Sequence, residues 1–319
     1  MNPTWLEPQM QQLRAAFAAG RMPHALLIHE APGTGGEWLA QWTAQLVLCS
    51  AAARAPCGQC SACQHASQWQ HPDLLRLTPI ENSTQIRIEQ VRELAADLAL
   101  TAHQGGYKVG IICPADDMNR FAANALLKTL EEPPRSTLLV LVASVPSRLP
   151  ATILSRCQRL RVAAPPREAA VAWLEAVRGP GDWAGVLGVL GDAPWLAAAA
   201  DPAALLATAA EMRADLEQLS AGAGDPTQCA ERWTREQLPL RLACFENWLT
   251  ERIRTRLLGP DATAEVRRSA HSRAAGPAIR ETFELLDAVR ELRSSFDVPL
   301  NRSVALETLL RRLAPRRAA

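Results

Sequence analysis

The chain has 319 residues, 48% of them hydrophobic and 21% charged, and a formal net charge of +1. This composition fits two or three folded domains and excludes a disordered chain. It also excludes a free-standing polycation that coats nucleic acid, while leaving room for a local basic face. Only two of the 34 basic residues are lysines, Lys108 and Lys128.

The amino terminus lacks the basic start and apolar core of a signal peptide. The longest apolar region, 193–210, is alanine-rich and interrupted by Asp201 and Pro202, so it is not expected to span a bilayer. A cytoplasmic location is the expectation. The eight cysteines are then read as thiols or metal ligands before disulfides.

Trp5, Leu6, Met10, Leu13 and Phe17 recur at helical spacing and predict an amphipathic helix over 4–19. The apolar run Ala25-Leu26-Leu27-Ile28 predicts a strand, followed by a glycine-rich turn over 29–37 and a helix from Trp38 to Leu48. A second strand is expected over 73–77 and a one-faced helix over 86–100. Val109 to Cys113 reads as a buried strand. Asp116 or Asp117 is the expected cap of a helix whose apolar stripe is Met118, Phe121, Ala122, Ala125, Leu126 and Leu130. Pro133-Pro134 stops that helix, and Leu138 to Val142 is another apolar strand. Helices alternating with near-continuous apolar strands predict an α/β domain whose parallel sheet is covered on both faces. Ala163-Ala164-Pro165-Pro166 is a linker candidate, and no strand is expected beyond it. The remainder reads as helical, with a mobile-looking segment over 259–277 and a last helix over 302–313 capped by Asn301 after Pro299.

A strand, a glycine turn and a helix form the arrangement that cradles a nucleotide's phosphates. The register fits G-x-x-x-x-G-K-[ST] with Gly35 as the second glycine. Glu30 then stands at the first glycine, Gly36 at the lysine and Glu37 at the metal-binding hydroxyl. A carboxylate there repels a polyphosphate, so the loop has the shape of a nucleotide site without its charges. The backbone N–H groups of Gly33, Gly35 and Gly36 remain possible anion donors.

Cys49, Cys57, Cys60 and Cys63 have the spacing C-x7-C-x2-C-x2-C. Four soft thiolates satisfy a tetrahedral Zn²⁺ and leave no open catalytic position, which predicts a structural zinc site. Gly58 eases the turn. The alternatives are four free thiols or disulfides in a surface loop. His65 lies close by, but four thiolates already complete the shell. Cys113, Cys157, Cys229 and Cys244 are scattered, and the last two read as core filler.

Three segments resemble one family: His24 to Ile28 leading into the glycine loop, the four-cysteine insert, and Asn124-Ala125-Leu126-Leu127-Lys128-Thr129-Leu130-Glu131-Glu132-Pro133-Pro134. Leu154-Ser155-Arg156-Cys157 adds a fourth. Together they resemble the bacterial DNA polymerase III clamp loader. That resemblance implies an α/β AAA+ (P-loop-like) domain over 1–162 carrying the zinc module, a small helical lid over 163–202 and an all-α collar over 203–319.

The family's motor subunits have an intact phosphate loop and an acidic Asp-Glu pair after the third strand. Here those acidic positions fall on Cys113 and Pro114, and the lid arginine expected near 191–195 is replaced by Pro194. The resemblance is therefore to the non-hydrolysing, delta-prime class of subunit, with no productive ATP binding. It implies that Arg156 is an arginine finger acting in trans on a neighbour's ATP. It also implies gamma/tau-type motor and delta-type subunits as partners, with the sliding clamp and primer-template DNA reached through the complex, and no membrane. Such a chain is not catalytic alone but belongs to a DNA-directed DNA polymerase holoenzyme. Arg148, Arg159 and Arg161 are assigned to a solvated face or subunit contacts, and Lys128 to an exposed or interface position. Two readings compete: an active ATPase with an atypical phosphate loop, and a zinc-module DNA-binding protein without a motor connection.

Overall fold

The computed structural model describes residues 2–80, 83, 85–103, 106–258, 279–294 and 301–313, and the segment 259–277 and Pro299 lie outside them. The apolar runs form parallel strands β1 (Ala25–Glu30), β2 (Leu74–Leu77), β3 (Lys108–Ile112) and β4 (Thr137–Ala143), joined by β5 (Gln158–Val162) in the order β2-β3-β4-β1-β5. Register is fixed by pairs such as Leu27 with Leu141 and Ile28 with Leu160.

Side chains alternate across the sheet. Leu26, Ile28, Ile111, Leu138, Val140 and Leu160 pack on one face with helices α1 (Glu7–Ala18) and α2 (Gly36–Leu48). Leu27, Ile112, Leu139 and Leu141 pack on the other with α4 (Ile88–Ala99), α5 (Arg120–Glu131) and the short α6 (Ala151–Leu154). Because both faces are covered, β3 and β4 are buried at every position, which is why they read as continuous apolar runs.

Three expectations are corrected. First, β5 was not anticipated. It is an edge strand in which Arg159 and Arg161 point to solvent and alternate with buried Leu160 and Val162, so it lacks the apolar run of its neighbours. Second, neither Asp116 nor Asp117 caps the following helix. Both sit in a 3-10 turn, Ala115–Asp117, and Asn119 is the cap, accepting from the Ala122 N–H at 2.8 Å. Third, Phe121 is not part of the buried stripe and is 69% exposed, because the buried face of the helix is carried by Ala122, Ala123, Leu126 and Leu130.

The chain divides into two compact units, 1–178 with 193–195, and 179–192 with 196–319. Among the described residues the second has no strand. Its helices include Trp183–Leu190, Pro202–Ser220, Pro226–Arg235, Leu238–Leu258, Ile279–Ser294 and Arg302–Arg311. Asp201, Asp225 and, as expected, Asn301 cap three of them. The core is built around Trp233 and Phe245, fully buried with ring centroids 6.0 Å apart, among Leu216, Leu242, Val289 and Leu310. Trp233 Nε1 donates to Asp215 at 3.0 Å, so its one polar atom is satisfied. No helix among the described residues is long and apolar enough to cross a membrane. Trp233→Ala is expected to destabilise the second unit by about 3–5 kcal/mol, read from urea unfolding followed by circular dichroism.

Candidate functional site

The glycine loop follows β1 at the carboxyl end of the sheet. There β1 lies between β4 and β5 and the strand order reverses, which is where open α/β sheets place a ligand. Gly33 and Gly35 have φ of 72° and 106°, in the left-handed region. Gly35 is the N-cap of α2 and has no side chain to offer, so the helix presents bare N–H groups to the loop. An anion is favoured at such a terminus, and the chain supplies it. Glu30 Oε2 accepts from the Gly36 N–H at 2.6 Å and from Thr34 Oγ1 at 3.4 Å.

This explains two of the motif's departures together. A Cβ on Gly36 would lie 2.5 Å from the Glu30 carboxyl carbon. The residue at the first-glycine position therefore occupies the space where the side chain of the lysine position would begin. Glu37, at the hydroxyl position, is ion-paired with Arg76 of β2, whose guanidinium lies 4.7 Å from the Trp69 ring centroid. Burial, reinforced by the Glu37 and Glu30 carboxylates, pushes the Cys113 thiol up and keeps it protonated. Asp116 Oδ2 accepts from the Val145 N–H at 2.8 Å and so ties the turn after β3 to the end of β4.

Four indoles cover the loop. Trp195 donates its backbone N–H to Gly33 O at 3.0 Å, and a Cβ on Gly35 would meet its ring at 2.5 Å. Trp195 stacks on Trp173 at 4.6 Å and meets Trp5 and Trp38 at 5.7 and 6.1 Å. Trp5 Nε1 donates to Thr34 O at 2.9 Å. These four tryptophans come from separate segments of the chain, so no local pattern marks them as one cluster. The available signal was nine tryptophans against one tyrosine in a chain with 5% aromatic residues.

The four cysteines of the insert come together, with one ligand atom from each within 4.8 Å of the others. Cys49 ends α2, Gly58 turns with φ of 70°, and Cys60 and Cys63 start α3 (Ser61–Ser67). Cys49 and Cys60 sulfurs are 3.9 Å apart, close to the roughly 3.8 Å edge of a tetrahedron with Zn–S of about 2.3 Å. Cys57 and Cys60 sulfurs accept from the N–H groups of Cys60 and Cys63, each at 3.4 Å. The Ser50 hydroxyl is the main cause that draws the Cys60 thiol down to about 5, whereas burial pushes Cys63 up to about 12. Four thiolates this close need a cation before all can ionise, and the donor set fits a soft divalent metal. His65 is not in the cluster.

Arg156 lies between α6 and β5. Its Nη1 donates to Thr152 O at 2.9 Å and to Ser155 Oγ at 3.3 Å, and its Nη2 to Glu131 Oε1 at 2.7 Å. Of the remaining cations, Arg148 lies 3.9 Å from Asp117, Arg159 and Arg161 are exposed on β5, and Lys128 is exposed on α5.

Burial raises the Glu30 carboxyl above its ordinary value of 4.5, and the Gly36 N–H only partly offsets this. A raised folded value contributes stability that is present below 4.5 and lost as pH rises through the folded value. Glu30→Gln is therefore expected to melt at a higher temperature than the parent at pH 7.5, with the difference shrinking toward pH 4.5. Thermal melts at both pH values check this.

The sequence model of a family described as DNA polymerase III, delta subunit, matches residues 5–166. The DNA polymerase III subunit delta' of Escherichia coli (strain K12) is 40% identical over 171 residues, 53% of this chain and 51% of that protein. The subunit delta' of Pseudomonas aeruginosa is 45% identical over 152 residues, 47% of this chain and 46% of that protein. The chain thus spans about half the length of the relatives it matches. A crystal structure of a DNA polymerase III gamma-subunit-related protein from Thermotoga maritima superposes with a TM-score of 0.51 at 16% identity, covering 94% of this chain and 98% of that one, a likeness of fold. Over half of its length the chain is a member of the DNA polymerase III delta-subunit family, and the relatives at 40% and 45% identity are delta-prime subunits.

Proposed function

We propose that this chain is a non-hydrolysing, delta-prime-type subunit of a clamp loader, which helps to load the sliding clamp onto primer-template DNA and acts on ATP held by a neighbour. The observation that carries this reading is the filled phosphate loop. Glu30 takes the N–H group that a phosphate would use, and Trp195 lies against Gly35. A nucleotide entering this loop would have to displace a carboxylate already bonded there and would meet no lysine. What remains for hydrolysis is Arg156 in Ser155-Arg156-Cys157, a half-exposed guanidinium with a permanent planar charge. Donated to a gamma/tau-type motor subunit, it would stabilise the charge that builds on a transferring γ-phosphate. A delta-type subunit is the other expected neighbour. The chain is then a component of the cytoplasmic polymerase holoenzyme without turnover of its own, with lid and collar helices over 163–202 and 203–319.

The cysteine cluster is read as a structural Zn²⁺ site of Cys49, Cys57, Cys60 and Cys63, which would brace the insert against the end of α2. Gln41 Nε2 already donates to Ala66 O and Ser67 O at 3.1 and 2.8 Å, and the metal would fix the other side of the same short helix.

In a loader reconstituted with its motor subunit, clamp and primed DNA, Arg156→Ala is expected to lower single-turnover hydrolysis at the adjoining ATP site by about 10³-fold or more. An unchanged rate would remove the finger role. Protein purified without added metal is expected to carry close to one zinc per chain by elemental analysis, and Cys60→Ser to lose it. A zinc content near zero in the parent would refute the site.

A further inference from the structure

The partner of Arg156 stands out by its position. Glu131 is the last residue of α5, and Pro133-Pro134 ends the helix just beyond it. A carboxylate is disfavoured at a helix C-terminus, where unpaired carbonyls give the macrodipole its negative end. Glu131 is 51% exposed on its side chain and adds little to the core. Its Oε1 accepts from Nη2 of Arg156 at 2.7 Å. On the same guanidinium, Nη1 is held by Thr152 O and Ser155 Oγ, both from the turn that carries the arginine. That turn alone could keep the side chain folded back. Glu131 adds a counter-charge delivered from a different helix, 25 residues earlier in the chain.

We propose that Glu131 is a positioning residue for Arg156, holding the guanidinium parked on the subunit's own surface until a neighbour's polyphosphate draws it away. The proposal rests on the reading of Arg156 as a finger acting in trans. The carboxylate and the γ-phosphate compete for the same planar donor, and the phosphate wins by its greater negative charge. The pair is half-exposed, so the hold is weak. Such a hold delays the finger without blocking it, and makes its release depend on a neighbouring ATP being in place.

The test is ATP hydrolysis at saturating Mg-ATP by the loader reconstituted with its motor subunit, using Glu131→Gln, Arg156→Ala and the double variant. Glutamine keeps the size and the acceptor oxygen and removes the charge. Glu131→Gln is expected to raise the rate about two- to fivefold, the range for losing an exposed ion pair. In the Arg156→Ala background the same substitution is expected to change nothing, because its effect passes through the arginine. A Glu131→Gln rate equal to or below the parent would overturn the proposal. So would an equal fold-change in both backgrounds, which would mark Glu131 as merely structural. If Arg156→Ala alone runs at the parent rate, the finger reading itself fails, and the single variants tell the two failures apart. Glu131→Ala, expected to match Glu131→Gln, guards against a residual hydrogen bond from the glutamine.

Discussion

A helix that begins at a glycine after a buried strand needs an acceptor for its first N–H groups. In this chain Glu30 meets that need from the end of β1. Much of the surrounding arrangement follows from that contact. It removes the space for a side chain at Gly36, fixes the turn through Thr34, and leaves Gly35 facing the Trp195 ring. The cost of burying a carboxylate is what raises its proton affinity. The helix terminus is thus capped by an internal anion where a nucleotide-binding loop would recruit an external one.

The second carboxylate of the loop is handled in the same manner. Glu37 on the first turn of α2 is neutralised by Arg76 from β2, and Arg76 is in turn laid over Trp69. Both carboxylates of the loop are thus bonded within the chain itself. Arg156 contrasts with them. It sits in the turn between α6 and β5, is anchored by that turn and by Glu131, and remains partly exposed. Within one α/β unit, the inward-facing chemistry is closed and an outward-facing cation is left available.

Much of this could be read in advance, for identifiable reasons. Strands buried on both faces leave continuous apolar runs, so β1, β3 and β4 were visible from residues alone. The cysteine cluster was visible because its ligands are close in sequence. Asn301 was found as a cap because the helix after it is isolated by the chain's own punctuation. β5 was hidden because an edge strand shows one face to water, and Arg159 and Arg161 broke the pattern. Asn119 was passed over for Asp116, whose carboxylate serves the Val145 N–H, a contact 29 residues away that no local rule reports. The tryptophan cover was hidden for the same reason: Trp5, Trp38, Trp173 and Trp195 lie in four separate segments and meet only in three dimensions.

The contact between Glu30 and Gly36 also constrains what this sequence can become. A lysine introduced at Gly36 alone would drive its Cβ into the Glu30 carboxyl group. A change of Glu30 alone would free an N–H but supply no cation for a phosphate. Even both together would leave Trp195 against Gly35 and Glu37 bound to Arg76. A phosphate loop of the usual kind would therefore need changes at several of these positions together, because each contact holds a neighbour in place.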